Sequence, residues 1–343
     1  MGRGACSGRG LPSSPTTADP RRRVARLAAP PSLPRGCPER SRAGTFRCPH
    51  LHPSPPAIPV PARPSSSGPD TPSPGQALLF VAGLALLYVV VGVTLQILFG
   101  EAGMAMAQVG VFLLPALLLV RLGGFSARRT LALRPASARG VAAAALLMAG
   151  GLPLAWLLAW LQSFVIPVPE ELLQALTDMI LTDDPVRIVW LVLLVAVLPA
   201  ICEEVVFRGV LLSGLRSRLP VVGAILLSGV VFGIFHLAPG TAFRFLPTAW
   251  LGILLAWIVV ETRSIFPAIL MHFLNNGAIL ALTLWPVSRE MASATGEAPP
   301  VLLLVPGLIL FVAGARLLRE EGRHLQAMDH GGQDPATGSG ASP

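Results

Sequence analysis

From Ala77 onward the chain is a succession of long apolar runs broken by short polar stretches. A helix needs about 20 apolar residues to cross the hydrocarbon core of a bilayer. Eight runs approach that length: 77–99, 102–120, 141–163, 188–212, 221–239, 243–260, 265–285 and 300–318. Sheet edges cannot face lipid, because their backbone groups would go unpaired, so each run predicts a helix. Polar groups interrupt the fourth and fifth. Within 168–184, Leu172, Leu173, Leu176 and Ile180 recur at helical spacing, which predicts a short amphipathic helix lying on the membrane surface. The expected fold is all-α, a polytopic membrane bundle of about eight transmembrane helices.

Residues 1–76 follow another rule. They hold 17 of the 34 prolines and 11 of the 26 arginines, with almost no apolar periodicity. Such a stretch buries too little surface to offset chain entropy, so disorder is expected there. It lacks the apolar core of a signal peptide, and its prolines oppose an amphipathic transit helix. The abrupt change at Ala77 also fits a functional start downstream of Met1. Residues 321–343 read as a second disordered tail, leaving 77–320 as the membrane domain.

Composition agrees with the pattern. Hydrophobic residues make up 53% of the chain and charged residues 13%, against about 25% charged in soluble domains. All 26 basic residues are arginine. They collect in alternate loops: Arg121, Arg128, Arg129, Arg134 and Arg139, then Arg216 and Arg218, then Arg316, Arg319 and Arg323. The remaining loops are acidic or Arg-poor. The positive-inside rule then puts both termini in the cytoplasm. The basic charge is read as orientation and lipid contact, with no nucleic-acid partner, since no folded basic face with interleaved aromatics is present. Cys6, Cys37, Cys48 and Cys202 form no disulfide framework. Cys48, His50 and His52 are close in sequence but lack the second ligand pair of a zinc finger.

Ionisable residues avoid the apolar runs, with few exceptions. The fourth run carries Glu203, Glu204 and Arg208; the fifth carries His236; the seventh carries His272 beside Asn275 and Asn276. A charge at mid-membrane costs roughly 2.5–3.5 kcal/mol on insertion scales, so this set points to a functional site. Residues four apart share a helix face, which pairs Glu204 with Arg208, Phe232 with His236, and His272 with Asn276. Glu203 is turned about 100° from Glu204 and has only Pro199 and Phe207 at four-residue spacing. Counting from the cytoplasmic ends, His272 lies about 12 Å deep, Glu203 about 15–18 Å and His236 about 24 Å, an offset that requires tilted helices or a thinned membrane.

The pattern Glu203-Glu204-x-x-x-Arg208, Phe232-x-x-x-His236 and His272-x-x-x-Asn276 resembles the three motifs of the CPBP intramembrane proteases. That family includes CAAX prenyl endopeptidases and bacterial proteins tied to bacteriocin processing or immunity. Phe207-Arg208-Gly209 and Thr262-Arg263-Ser264-Ile265 add to the likeness, which is strong over about 180–285. The resemblance implies an endopeptidase of the bacterial inner membrane. Its substrate would be a membrane-associated peptide or protein, CAAX-like or a bacteriocin leader. Glu203 would activate water with help from His236; His272 and Asn276 would bind the water, a metal or the oxyanion; Glu204, Arg208 and Phe232 would support them. Two versions stay open: zinc held by Glu203, His236 and His272, or glutamate-activated water alone. The other mechanisms lack their marks: there is no His-Glu-x-x-His, Ser228 lacks a Gly-x-Ser-x-Gly setting, and Cys202 points away from Glu203. A non-enzymatic immunity or scaffold protein of the same fold is the alternative from another class. A proton-coupled transporter is a third, against which stands the lack of any internal repeat.

Overall fold

The computed structural model describes residues 70–237, 240–284 and 298–331. Among them all regular structure is helical. Six helices are long and apolar enough to cross a membrane: α1 (Pro74–Leu122), α2 (Ala138–Ser163), α4 (Pro185–Arg216), α6 (Ala242–Thr262), α7 (Phe266–Leu284) and α8 (Val301–Gly331). The surface helix expected within 168–184 is α3 (Glu170–Ile180), and α5 (Val221–Phe235) is a shorter apolar helix.

The first two expected spans fall within α1, whose 49 residues would reach about 74 Å if straight, far beyond the bilayer core. It doubles back instead. Gly100 takes φ 56° and ψ −126°, outside the helical region and open to glycine. Beyond the bend Gly103 lies against the Leu95 backbone, where a Cβ would come within 1.9 Å of the carbonyl oxygen. The rings of Tyr88 and Phe112, on opposite arms, stand 5.5 Å apart. Two helical arms therefore stand where two spans were expected. Exposed side chains such as Leu79, Ile97, Val222 and Leu302 cover the outside and suit lipid contact.

Close packing through small residues sets the interior, as is usual where lipid removes the hydrophobic drive between helices. On α5, Gly229 and Gly233 let the backbone approach α6, where a Cβ on Gly229 would lie 2.7 Å from the Ile253 nitrogen. The same approach leaves the Gly252 carbonyl facing inward.

Both expected tail boundaries move. Asp70 pairs with Arg129, while Ser73 caps α1 and forms a reciprocal capping box with Gln76. The tail expected at 1–76 therefore excludes 70–76; residues 1–69, with Cys48, His50 and His52, lie outside the described residues. At the other end α8 runs on to Gly331. Glu321 is buried, accepts from Ser137 Oγ at 2.6 Å and lies 3.8 Å from Arg139. Arg263 reaches Asp329 at 2.5 Å. Residues 321–331 are thus part of the bundle, held by ion pairs that composition alone does not show, and 332–343 lie outside the described residues.

These pairs, with Arg129, mark an arginine-rich end of the bundle. At the opposite end Glu101 holds Arg187 at 3.0 Å and the Trp190 indole at 2.8 Å, and Leu172 of α3 lies against Gly240.

Candidate active site

The ionisable residues singled out in the apolar runs meet at one place. α4 brings Glu203, Glu204 and Arg208, all buried. Its hydrogen bonding widens to i→i+5 along Val192–Val197 and Val205–Leu211, either side of the short α-helical stretch Leu198–Glu204. Pro199 explains part of the first stretch. It has no N–H to offer the carbonyl four residues back, that of Val195. Asn276 of α7 fills the gap, its Nδ2 donating to Val195 O at 3.0 Å. Asn276 Oδ1 in turn accepts from Asn275 at 3.1 Å. One face of Asn276 is therefore tied to the scaffold, and one amide hydrogen remains for other work.

Glu204 is fully buried and its Oε1 takes two donors: Arg208 Nη1 at 2.9 Å and His272 Nδ1 at 2.8 Å. Arg208 also donates to Gly252 O at 3.0 Å, and its guanidinium lies 4.4 Å above the Phe232 ring. The expected Glu204–Arg208 pair is present, and Glu204 does a second thing that helix spacing could not show. It orients His272 from another helix.

His236 ends α5, with its Nδ1 2.8 Å from Phe232 O. α5 has 15 residues, or about 22 Å, and stops short of a full bilayer crossing. His236 still lies about 22 Å from the start of α5, so its meeting with Glu203 rests on how α5 crosses α4. A carbonyl or a carboxylate can only accept, so each imidazole carries its hydrogen on Nδ1. Each Nε2 then presents a lone pair when the ring is neutral. His236 Nε2 lies 3.6 Å from Glu203 Oε2 and His272 Nε2 lies 4.0 Å from it.

Glu203 is held by a group outside the motifs. Gln108, on the second arm of α1, donates from Nε2 to Glu203 Oε1 at 3.1 Å. Glu203 Oε2 is buried with no donor. Three electron-rich atoms thus face one another, an arrangement that calls for a cation between them or for a water, whose two hydrogens meet two of the three at a time.

As a zinc site the set is right in kind but wide in spacing. Ligands on a tetrahedral zinc stand roughly 3.4 Å apart, against 3.6 and 4.0 Å here. Among the described residues no group of three or more His, Cys, Asp or Glu is gathered closely enough to hold an ion. A water molecule with hydrogen bonds of about 2.8 Å can bridge such separations. The residues that would hold the ion are Glu203, His236 and His272, which stand a few tenths of an ångström farther apart than zinc ligands do.

The cluster lies on the wall of a cavity of about 850 Å³. Glu203, His236, His272, Asn275 and Asn276 line it, as do Gln108 and Arg244; most of the remaining wall is apolar, with Tyr88, Trp156 and Phe243 among it. Cys202 and Ser228 are buried and absent from the lining. Gln108 and Arg244 were not among the expected site residues, and Asn275 stood there only as a polar neighbour of His272 without a role. The available signal for Gln108 was an amide inside an apolar run, which a search for ionisable groups passes over.

No curated protein and no solved structure matches this chain. A protein-family model does: residues 185–278 match that of the type II CAAX prenyl endopeptidases, Rce1-like. The match contains Glu203, Glu204, Arg208, Phe232, His236, His272 and Asn276 and leaves out Gln108. The stretch that brings the motif side chains to the cavity is thus the part of this membrane protein that is similar to the Rce1-like type II CAAX prenyl endopeptidases, a protease family.

Proposed function

We propose that the protein is an intramembrane endopeptidase that hydrolyses a peptide bond of a membrane-associated substrate with water activated by Glu203. One observation carries the reading: the donor-free Oε2 of a buried carboxylate faces two imidazole lone pairs on the wall of a large cavity. The water has two hydrogens: one goes to Glu203 Oε2 and the other to an imidazole lone pair, that of His236 or His272, and these two bonds fix its position. Glu203 Oε2 takes a proton as the water oxygen bonds to the carbonyl carbon, and the carbonyl electron pair moves onto its oxygen. The free amide hydrogen of Asn276 is the donor at hand for that oxyanion. The C–N bond then breaks, and the leaving nitrogen takes the proton back from Glu203. A neutral imidazole with hydrogen on Nδ1 offers the water only an acceptor at Nε2, which narrows the roles that the resemblance leaves open for His272. Glu204 sets the His272 tautomer, as carboxylates behind catalytic imidazoles do.

The apolar walls suit a hydrophobic peptide or a lipid-modified one, and the family description supports a CAAX-like C terminus. The test is cleavage of an internally quenched peptide with a farnesylated cysteine near a free C terminus, using protein in proteoliposomes. Glu203→Gln is expected to stay folded and lose cleavage. His236→Ala should do the same, and Asn276→Ala should lose about 100-fold, the loss of one oxyanion donor. Wild-type turnover by Glu203→Gln would end the protease reading in favour of a binding protein of this fold.

A further inference from the structure

We infer that Gln108 is a positioning residue for the hydrolytic carboxylate, supplied by a helix outside the family-matched segment. The inference rests on the role of Glu203 proposed above.

Glu203 has two oxygens in different surroundings. Oε1 receives the Gln108 amide at 3.1 Å; Oε2 faces the imidazoles. A buried glutamate with neither oxygen tied rotates about its terminal torsion, since such sp³–sp² torsions have broad wells. The Gln108 amide is the one side-chain donor placed on Glu203 among the described residues, and it selects which oxygen meets the water. No neighbour on α4 can do this, because Pro199 and Phe207, four residues away on either side, carry no side-chain donor.

Gln108 is also not explained by stability. Its Oε1 is buried without a donor, a cost that an apolar side chain of similar shape would not carry. Its neighbours on the same arm, Val111 and Phe112, are apolar and buried in the core. A primary amide kept at this position, against the cavity and on the hydrolytic carboxylate, is accounted for by orientation of Glu203.

The test uses the full chain in proteoliposomes with the quenched farnesylated peptide, comparing Gln108→Leu, Gln108→Met and Gln108→Asn. Leu and Met keep the volume and drop the donor. Both are expected to lower kcat about 10- to 100-fold, the usual cost of a misplaced reacting group or lost supporting contact. KM should stay within about twofold, and the melting temperature in detergent should be unchanged or higher, since the orphan acceptor is gone. Gln108→Asn keeps an amide on a shorter arm and should recover part of kcat. A kcat within twofold of wild type for both Leu and Met overturns the inference. So does a fall in melting temperature for both, which would make Gln108 a scaffold residue. Inactive Glu203→Gln beside fully active Gln108→Leu removes this inference alone; active Glu203→Gln removes the protease reading and this one with it.

Discussion

Glu204→Gln separates the two jobs of the buried carboxylate at the centre of the site. Glu204 is fully buried and its Oε1 accepts from both Arg208 and His272. The substitution keeps the shape and removes the charge. Arg208, itself 1% exposed, is then left with the Gly252 carbonyl and the face of Phe232. Breaking a buried ion pair from one side costs about 3–5 kcal/mol, and those two remaining contacts argue for the lower end. At about 3 kcal/mol, a membrane domain of this size should melt some 6–12 °C lower. Activity should fall for a different reason. A glutamine amide turned toward His272 donates to Nδ1, which moves the imidazole hydrogen to Nε2 and toward Glu203 Oε2. The water acceptor becomes a donor, and cleavage should drop at least 100-fold. The assay is thermal unfolding in detergent beside cleavage of the quenched peptide. The double variant Glu204→Gln, Arg208→Met removes both partners and should recover most of the lost stability and none of the activity. A Glu204→Gln protein with unchanged melting temperature would refute the buried-pair argument. A double variant that regains cleavage would refute the tautomer argument.

Three further outcomes follow. Stripping metal with a strong chelator should leave turnover within about twofold, and purified active protein should hold far less than one zinc per chain; loss of activity restored by zinc would put the ion on Glu203, His236 and His272 despite their spacing. Deleting residues 1–69 should leave insertion and melting temperature intact, whereas ending the chain at residue 320 should destabilise it, because Glu321 and Asp329 are lost to Ser137, Arg139 and Arg263; equal tolerance of both cuts would show those pairs to be idle. Reporter fusions after residues 130 and 175 should fall on opposite sides of the membrane, since one lies at the arginine-rich end and the other on α3 at the acidic end; the same side for both would break the alternation.

The sequence by itself was enough for the features that depend on one helix at a time. Bilayer thickness makes the apolar runs legible as spans, and the helical period makes Glu204–Arg208 and Phe232–His236 legible as neighbours. The price of charge in lipid makes Glu203, His236 and His272 stand out before any of them is placed. The tertiary structure decided what lies between helices. Which oxygen of Glu203 is tied, and by Gln108, depends on how the folded arms of α1 meet α4 after the turn at Gly100. That Glu204 holds His272, and that Asn276 closes the gap Pro199 leaves at Val195, depends on the crossing of α4 and α7. That His236 meets Glu203 depends on how α5 crosses α4. The parts that Asp70 and Glu321 play depend on contacts between residues far apart in sequence, an ion pair across 59 residues at Asp70 and a hydrogen bond from Ser137 across 184 at Glu321. Helix geometry fixes neighbours three and four residues away from the sequence alone, whereas contacts between helices follow from tilt, crossing and packing of small residues, which appear only once the helices are assembled.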